Sequence, residues 1–363
     1  MDSRERIVAT LNFEEPDRVG FIDFIWPETW KRWRAEGLPE DYERYVDFDI
    51  VLVDVDQTPR FEKRVIEEAD RWMIYVDEMG TKWRWPKFEA SGPPLPLEGY
   101  VKREEDFEEV KARLDPEDPS RYPKDFEKIV ESHHKRGKFV ALAIWEPFDY
   151  CWRLRGFTQL LADMVGNPQF VKAMFNFIAD FQVKLASRAV DAGVDGIWLW
   201  DDICYKNGPF FSPNVYESLL MPAHRRMVWF FEKRGLPCIY HTDGNVTKII
   251  DLLAKTGIRA IHPLEVKAGN SIADLKEKYY GRLVLMGNID ARALSSDAET
   301  LKREVLLKLS IALPGGGYIA SSDHSIPPNV SFQNFKLFAK LIRKYGVYRC
   351  NNLLFKLGSL RDL

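Results

Sequence analysis

The chain has 363 residues, of which 45% are hydrophobic and 29% are charged, and its 11 tryptophans and 23 phenylalanines can fill a large core. This composition excludes a disordered chain and permits one large globular domain. The formal net charge is −3 and no segment gathers Lys and Arg between aromatic residues, so a nucleic-acid partner is not expected. We also expect no membrane span and a cytoplasmic location, because the sequence has no run of 18 apolar residues, no secretory signal and no CxxC spacing.

Eight short apolar, β-branched segments recur along the chain, most of them separated by a stretch of helical period. This alternation predicts a parallel sheet, and nearly unbroken apolar strands predict a sheet that is buried on both faces. Eight units favour closure into a (β/α)8 barrel over an open doubly wound sheet, and no GxGxxG motif follows any strand to support the latter. The predicted strands cover residues 18–24, 49–55, 138–145, 193–200, 236–240, 258–262, 282–287 and 317–321.

Residues 57–125 do not fit a single helix between the second and third strands. Residues 71–88 predict a hairpin with Gly80 in its turn, and a proline-rich loop and an acidic stretch follow. We interpret residues 57–125 as an insertion that forms a flap near the barrel mouth, within a single domain that spans residues 1–363.

Later segments have helical period and clear end signals. Two helices are predicted on either side of a break at Gly166 to Pro168, and another helix is predicted to begin after Ser212 and end at Gly235. Three histidines fall on predicted helices among charged residues and are expected to be solvated there: His133, His134 and His224.

Polar side chains follow the predicted strands, at the ends where this class of barrel gathers its catalytic groups. His241 and Asp243 leave the fifth strand two residues apart, so both point to the same side of the backbone and can chelate a metal ion. The same two residues also fit a proton-transfer pair, or an ordinary turn beside a hydrogen-bonded histidine. We expect His262 to be hydrogen-bonded beside a proline turn and Asp290 to cap a helix. The strand-end candidates are Asp23, Glu28, Asp54, Asp56, Glu146, Asp201, Asp202, His241, Asp243, His262, Glu265, Asn288, Asp290, Asp323 and His324.

Tryptophans also lie at or near strand ends. Trp26, Trp145 and Trp200 follow or end the first, third and fourth predicted strands. They would wall an aromatic pocket, although tryptophans in such positions also commonly pack in the core.

Six motifs occur in order along the greater part of the chain: "RERIVATLNFEEPDRVGF", "WDDICYKNGPFFSPNVYESLLMPAHRRM", "HTDGNV", "IHPLEVKAGNSIADLKEKY", "LMGNIDARAL" and "GGGYIASSDHSIPPNVSFQNF". Together they resemble the uroporphyrinogen decarboxylase superfamily, which includes the cobalamin-dependent methyltransferases of methanogens and acetogens. The resemblance implies a (β/α)8 barrel, in agreement with the strand count, and barrels of this family often pair as homodimers.

The decarboxylase branch of this superfamily holds a porphyrinogen with four carboxylates by means of two arginines shortly after the first strand. Here that position reads "FIWPETWKRW" and contains Glu28. A polyanionic substrate would meet a carboxylate where it needs a bidentate cation, which disfavours uroporphyrinogen decarboxylation. His324 nevertheless falls where that branch places a histidine.

The methyltransferase branch that methylates coenzyme M binds zinc through a His-x-Cys pair at the fifth strand and a cysteine near the eighth. Here the first pair is His241 and Asp243, and the segment near the eighth strand holds His324 but no cysteine. The resemblance therefore implies zinc held by His241, Asp243 and His324, with Asp323 as the alternative to His324. Oxygen and nitrogen ligands leave zinc a harder Lewis acid than thiolates do, which favours help for an oxygen leaving group.

We therefore expect methyl transfer from a small O-methyl donor, such as a methoxylated aromatic, to the cobalt of a separate corrinoid protein. The cobalamin is expected on a partner because the chain has no corrinoid-binding motif of the Asp-x-His-x-x-Gly type. Two alternatives stay open: a cofactor-free lyase that decarboxylates another acid, and a barrel that has lost catalysis and serves as a binding partner. The expected catalytic residues are Glu146, Asp202, Asp323 and His324, and the expected substrate contacts are Trp26, Glu28, Asp54, Trp145, Trp200 and Asp201.

Overall fold

The computed structural model describes residues 1–87 and 94–348. All eight predicted strands are present, each within or next to its predicted range, and they form one parallel sheet. The barrel strands are β1 (Gly20–Phe21), β2 (Ile50–Val53), β7 (Phe139–Trp145), β8 (Gly196–Trp200), β11 (Cys238–His241), β12 (Ala260–His262), β13 (Val284–Met286) and β14 (Tyr318–Ala320).

The strand order shows a nearly closed barrel. The sheet runs β1, β14, β13, β12, β11, β8, β7 and β2, and every neighbouring pair is parallel. The first and last strands share no ladder, but the Asp49 N–H donates to Phe21 O at 2.8 Å, and the Phe21 N–H donates to the Asp49 carboxylate at 2.8 Å. The predicted (β/α)8 barrel is therefore confirmed.

The barrel interior is apolar and is closed at its N-terminal end by the first helix, α1 (Ser3–Leu11). Ile7 and Leu11 pack onto the interior side chains, and the Arg4 N–H donates to Gly137 O just ahead of β7. A Cβ at Gly20 would lie 2.6 Å from the Ile7 side chain, so glycine permits this close approach. The interior side chains include Ile22, Ile50, Ala141, Ala143, Trp198, Ile239, Ala260, Val284, Met286 and Ile319.

Helices surround the barrel and follow the predicted signals closely. One ends at Gly166 and the next begins at Pro168, and the Ser212 side chain caps the helical run that ends before Gly235. In the part of the chain that the structure describes, no helix combines the length and the apolar character needed to cross a membrane. The remaining helices are α2 (Pro27–Ala35), α3 (Glu104–Arg113), α4 (Phe126–Lys135), α5 (Pro147–Arg155), α6 (Phe157–Gly166), α7 (Pro168–Asp191), α8 (Pro213–Val215), α9 (Met221–Glu232), α10 (Ile250–Thr256), α11 (Ile272–Tyr279), α12 (Ala291–Leu294), α13 (Ala298–Ala312) and α14 (Phe332–Tyr345).

A four-stranded antiparallel sheet lies in the segment that we predicted to be an insertion. The predicted hairpin is present, with Gly80 in its turn at φ +76°. The proline-rich run begins at residues 91–93, outside the described residues, and continues as a strand rather than a loop. The sheet packs on α5, where the Trp83 and Trp152 ring centroids lie 6.1 Å apart. Its strands are β3 (Arg64–Glu68), β4 (Trp72–Val76), β5 (Lys82–Pro86) and β6 (Leu95–Glu98), and a separate small hairpin pairs β9 (Cys204–Tyr205) with β10 (Gly208–Pro209).

One buried carboxylate ties the seam between β1 and β2. The Asp49 side chain is 0% exposed and accepts hydrogen bonds from Arg6 and Arg18, each at 2.8 Å, and from the Phe21 N–H. Burial alone would raise the pKa of Asp49, but the Arg18 hydrogen bond and the neighbouring Arg6 charge lower it. The network therefore contributes most of its stability while this carboxylate is ionised.

Replacing Asp49 by Asn is expected to reduce the free energy of unfolding by about 3 kcal/mol, because two arginines lose their buried counter-ion. Urea unfolding at neutral pH measures this loss. The folded pKa lies below the unfolded value, so the Asp49 contribution is present above the unfolded pKa and disappears as the pH falls through the folded pKa. Asp17 is a matched control, since it also pairs with Arg6 but is 43% exposed, and Asp17→Asn should cost under about 1 kcal/mol. Equal losses of unfolding free energy in the two variants would contradict the role of Asp49 in stabilising the contact between β1 and β2.

Candidate functional site

Residues from the ends of β11 and β14 meet at the barrel mouth around one carboxylate. His241 is the last residue of β11, and its Nε2 lies 3.8 Å from Asp243 Oδ1. His324 follows β14, and its Nε2 lies 3.4 Å from Asp243 Oδ2. Asp202 follows β8, with Oδ1 3.6 Å from His241 Nε2, and this same oxygen accepts the Asp243 N–H at 2.9 Å. The structure thus brings together four residues that the sequence placed at three separate strand ends.

The two histidines at the mouth have opposite electrostatic character. Burial lowers the pKa of His241 to about 4, so its ring is neutral near pH 7. The contact with the Asp243 carboxylate raises the pKa of His324 instead. Burial alone would raise the pKa of Asp243, but His324 and His241 lower it to about 2. A neutral imidazole, a carboxylate and a protonatable imidazole therefore stand within a few ångströms of each other.

His262 orients His241, a role that the sequence did not reveal. The two residues are register partners on β12 and β11, and their Nδ1 atoms lie 2.7 Å apart, so one ring donates an N–H to the other. This bond leaves Nε2 of His241 directed at Asp202 and Asp243. His262 is hydrogen-bonded beside a proline, as predicted, but its partner is the other histidine. The contact could have been predicted from the sequence, because His241 and His262 stand at the ends of consecutive predicted parallel strands, which lie side by side.

An aromatic ring lies beside each of the two mouth histidines. The Trp200 ring centroid lies 4.4 Å from that of His241, and the Trp26 centroid lies 5.6 Å from that of His324. A cavity of about 670 Å³ lies along β1 and β2 and reaches Phe24 and Trp200, but Asp202, His241, Asp243 and His324 do not line it.

Three of the other expected substrate contacts differ in their surroundings. Trp145 does not contact either mouth histidine among the described ring pairs, and the Arg153 guanidinium lies 5.0 Å from its centroid. Glu28 is half-buried in the first turn of α2, and Asp54 is exposed at the end of β2. Of the three expected tryptophans, Trp26 and Trp200 are thus the two whose rings contact a mouth histidine.

The donor atoms at the mouth fit a metal ion. A tetrahedral zinc ion with bonds of about 2.0–2.2 Å keeps its ligand atoms about 3.4 Å apart, and the separations around Asp243 are 3.4 to 3.8 Å. Two groups of three residues at the mouth have ligand atoms within 4.8 Å of one another, and Asp243 belongs to both. The first group adds Asp202 and His241, and the second adds Glu265 and His324. The nitrogen and oxygen donors suit zinc and other divalent transition metals.

Asp323 occupies a different kind of position. Its side chain is buried, with one oxygen accepting the Ala291 N–H and the other the Val266 N–H, each at 2.8 Å. The carboxylate thereby joins the loops that follow three neighbouring strands. Asp290 caps α12 through the Arg292 N–H, as predicted.

Glu146, Asp201 and His224 form a second cluster, which is buried. His224 Nε2 lies 2.8 Å from Glu146 Oε2 and 3.0 Å from Asp201 Oδ2. Burial raises the pKa of Asp201 to about 6. Burial alone would lower the pKa of His224, but the nearby Glu146 and Asp201 carboxylates raise it to about 9. Glu146 and Asp201 were expected to act at the mouth, whereas the structure encloses both side chains beside α9.

The prediction that His224 lies on a solvated helical surface was wrong, because this residue is 1% exposed. The signal that could have found it is its helical phase. Met227, Val228 and Phe231 follow at three, four and seven residues and are all buried, so the apolar face of α9 includes His224.

Comparisons with known proteins agree with this architecture. The family model described as uroporphyrinogen decarboxylase (URO-D) matches residues 73–345, well over half of the chain. The uroporphyrinogen decarboxylase of Acinetobacter baumannii is 23% identical over 190 residues, covering 50% of this chain and 51% of its own, and that of Actinobacillus pleuropneumoniae is 23% identical over 196 residues, covering 53% of each. The chain therefore spans about half the length of these relatives. A solved structure described as a methyltransferase from Methanosarcina mazei is similar in fold, with a TM-score of 0.66 and 14% identity over 95% of this chain and 99% of that one.

Proposed function

The chain belongs to the uroporphyrinogen decarboxylase family, and we propose that within this family it acts as a methyltransferase. The methyl donor is a small O-methyl compound, such as a methoxylated aromatic, and the acceptor is the cobalt of a separate corrinoid protein. One observation carries the proposal: the Asp243 carboxylate lies between His241 Nε2 and His324 Nε2, at 3.8 and 3.4 Å. Acid and metal assistance to a leaving oxygen needs such a set of groups.

The aromatic rings beside this cluster support a flat, neutral donor. Trp200 stands next to His241 and Trp26 next to His324, so an arene held between them places its methoxy oxygen near Asp243. Trp26 is 40% exposed, which leaves the donor's methyl group accessible to a partner at the open mouth. Binding energy from the ring then orients the reacting C–O bond.

The residues at the mouth have different roles in the proposed reaction. Asp202, His241 and Asp243 hold a zinc ion, which when bound supplies Lewis acidity to the donor oxygen. His262 fixes the His241 ring through the contact between their Nδ1 atoms. His324, whose pKa is raised by Asp243, donates its Nε2 proton to the leaving oxygen. The methyl carbon loses its bond to oxygen and gains a bond to the reduced cobalt, which provides the electron pair, and the demethylated product leaves as a phenol or alcohol.

A cofactor-free decarboxylase is the alternative, and the charge of the mouth counts against it. Asp202, Asp243 and Glu265 place three carboxylates there, whereas the cation beside Glu265 is Lys267, with its Nζ 3.6 Å from Oε2. With His324 held protonated by Asp243 and Lys267 beside Glu265, this set carries no excess positive charge to bind an acid substrate, whereas a neutral ether needs none. The two activities also differ in their need for metal, since the lyase is insensitive to chelators.

A methyl-transfer assay tests the proposal. The full chain is incubated without oxygen with cob(I)alamin and 2-methoxyphenol, and methylcobalamin formation is followed by absorbance. We expect methylcobalamin and the demethylated phenol to form together, a chelator to stop the reaction, and added Zn²⁺ to restore it. If the purified protein holds no zinc and no methoxylated donor alkylates cob(I)alamin, the lyase becomes the better assignment.

A further inference from the structure

The buried cluster of Glu146, Asp201 and His224 lies outside the mouth and takes no part in the proposed reaction. Its side chains come from three elements: Glu146 follows β7, Asp201 follows β8, and His224 lies in the first turn of α9. One ligand atom from each residue lies within 4.8 Å of the other two, and all three residues are buried. Asp201 and Asp202 are neighbours, but only Asp202 has a ligand atom in a mouth cluster. The barrel wall thus has side chains that could bind metal both at its mouth and beneath its helical layer.

Three polar atoms of this cluster are not satisfied by hydrogen bonds. Both oxygens of Glu146 and Nε2 of His224 are buried and have no hydrogen-bond partner among the described residues. His224 Nε2 lies 2.8 Å from Glu146 Oε2 and 3.0 Å from Asp201 Oδ2, and these are close charge contacts rather than aligned hydrogen bonds. A buried carboxylate that accepts no N–H or O–H hydrogen bond is costly, so this arrangement favours a cation held between the three side chains.

The charge of the cluster leads to the same conclusion. Two carboxylates with a protonated His224 leave a net charge of −1 inside the protein. The same carboxylates with a neutral imidazole and a divalent cation sum to zero, which removes the cost of a buried net charge. The imidazolium and the divalent cation therefore compete for one position, and binding of the metal ion releases the imidazole proton.

The surrounding residues orient two of the three side chains as they would around a metal ion. The Tyr216 hydroxyl lies 3.0 Å from His224 Nδ1, so an Nδ1–H that donates to Tyr216 leaves Nε2 free to bind metal. The Tyr240 hydroxyl donates to Asp201 Oδ2 at 3.1 Å, and the Asp149 N–H donates to Oδ1 at 2.8 Å. These contacts fix the ring and one carboxylate, while Glu146 stays available as the third ligand.

We propose that Glu146, Asp201 and His224 bind a divalent transition metal ion, of the class of Zn²⁺, Mn²⁺ or Fe²⁺, at a second site that is separate from the mouth. Carboxylate and imidazole donors suit this class of ion. The ion joins the ends of β7 and β8 to α9, and so holds the strand ends from which the mouth is built. The assignment does not depend on methyl transfer, since it rests on side chains that do not face the donor.

Metal binding by a variant without the mouth ligands tests this site. In the full chain carrying His241→Asn and Asp243→Asn, the buried cluster is intact. After removal of metal with a chelator, the protein is titrated with Zn²⁺, with Mn²⁺ and, without oxygen, with Fe²⁺, and bound ion is measured by equilibrium dialysis and elemental analysis. We expect a single ion per chain from at least one of these titrations, with release of a proton and a rise in the unfolding temperature.

Two further substitutions in this background locate the ion. Glu146→Gln is expected to weaken binding by more than about 100-fold, and Tyr216→Phe by about 10- to 100-fold, because the first removes a ligand and the second only its orienting contact. Glu127→Gln, at an exposed ion pair with Arg188, is the matched control and should leave the affinity unchanged. The assignment is overturned if the variant without mouth ligands binds none of the three ions, and this test does not require Glu146→Gln to fold. It is also overturned if Glu146→Gln binds the ion as tightly as its parent.

Discussion

Replacing Asp243 by Asn is expected to lower kcat/KM for methyl transfer on the order of a thousandfold. Asn keeps the shape of the side chain but removes the charge that lies 3.8 Å from His241 Nε2 and 3.4 Å from His324 Nε2. One substitution therefore removes a metal ligand and also the partner that holds His324 protonated. Zn²⁺ binding at the mouth should weaken by more than about 100-fold in the same variant. Initial rates of methylcobalamin formation and Zn²⁺ titration measure the two effects.

A matched control separates this effect from a general loss of charge. Asp41 pairs with Arg44 on an exposed turn, and Asp41→Asn should leave both the rate and the Zn²⁺ affinity at their normal values. The unfolding temperature of Asp243→Asn should stay close to that of the unmodified chain, since the Asp243 side chain is 32% exposed. A loss of activity smaller than about tenfold would remove Asp243 from the centre of the proposal.

Replacing His324 by Gln is expected to lower kcat by about 100- to 10,000-fold while Zn²⁺ binding at the mouth is retained. Glutamine can still donate a hydrogen bond to Asp243, but it cannot transfer a proton at neutral pH. The pH profile gives a second measure. Asp243 raises the pKa of His324, and the protonated ring is the active form, so activity of the unmodified enzyme should fall as the pH rises through this pKa. The variant should lack that alkaline decline.

Metal analysis decides between two roles for His324. If His324→Gln loses its mouth zinc along with its activity, His324 is a ligand with Asp243 and Glu265 rather than the proton donor. If zinc is retained and the alkaline decline persists unchanged, another residue supplies the proton. The Asp323 carboxylate is a poor candidate for that part, because both of its oxygens accept backbone N–H groups.

The strands were the most predictable part of the fold. A strand of a closed parallel barrel is covered on both faces, so it is apolar throughout, and β7 (Phe139–Trp145) shows this pattern along its whole length. The first strand was predicted over residues 18–24, but only Gly20–Phe21 pair in the sheet. On the β2 side the backbone ladder is absent at the seam, where the Phe21 N–H donates to the Asp49 side chain. When a side chain accepts a backbone hydrogen bond in place of the neighbouring strand, the pattern of apolar residues in the sequence does not reveal it.

The meeting of His241 with His324 was predictable for the same reason. Parallel strands end at one rim, so residues that follow the fifth and eighth strands share that rim whatever their separation along the chain. The sequence did not predict that His262 would orient His241, nor that Glu265 would complete a group with Asp243 and His324. These relations depend on strand register and on the paths of the loops, which local patterns do not encode.

The sequence by itself determined the eight-stranded barrel and the end of it that carries the reactive side chains, because burial and period act locally along each segment. Only the tertiary structure decided which carboxylates face the mouth. Asp202 and Asp243 surround His241 there, whereas Glu146 and Asp201 turn to His224 beneath α9. Beyond the last paired residue of a strand, no ladder fixes the direction of a side chain, so the docking of the neighbouring helix and its charges sets it instead.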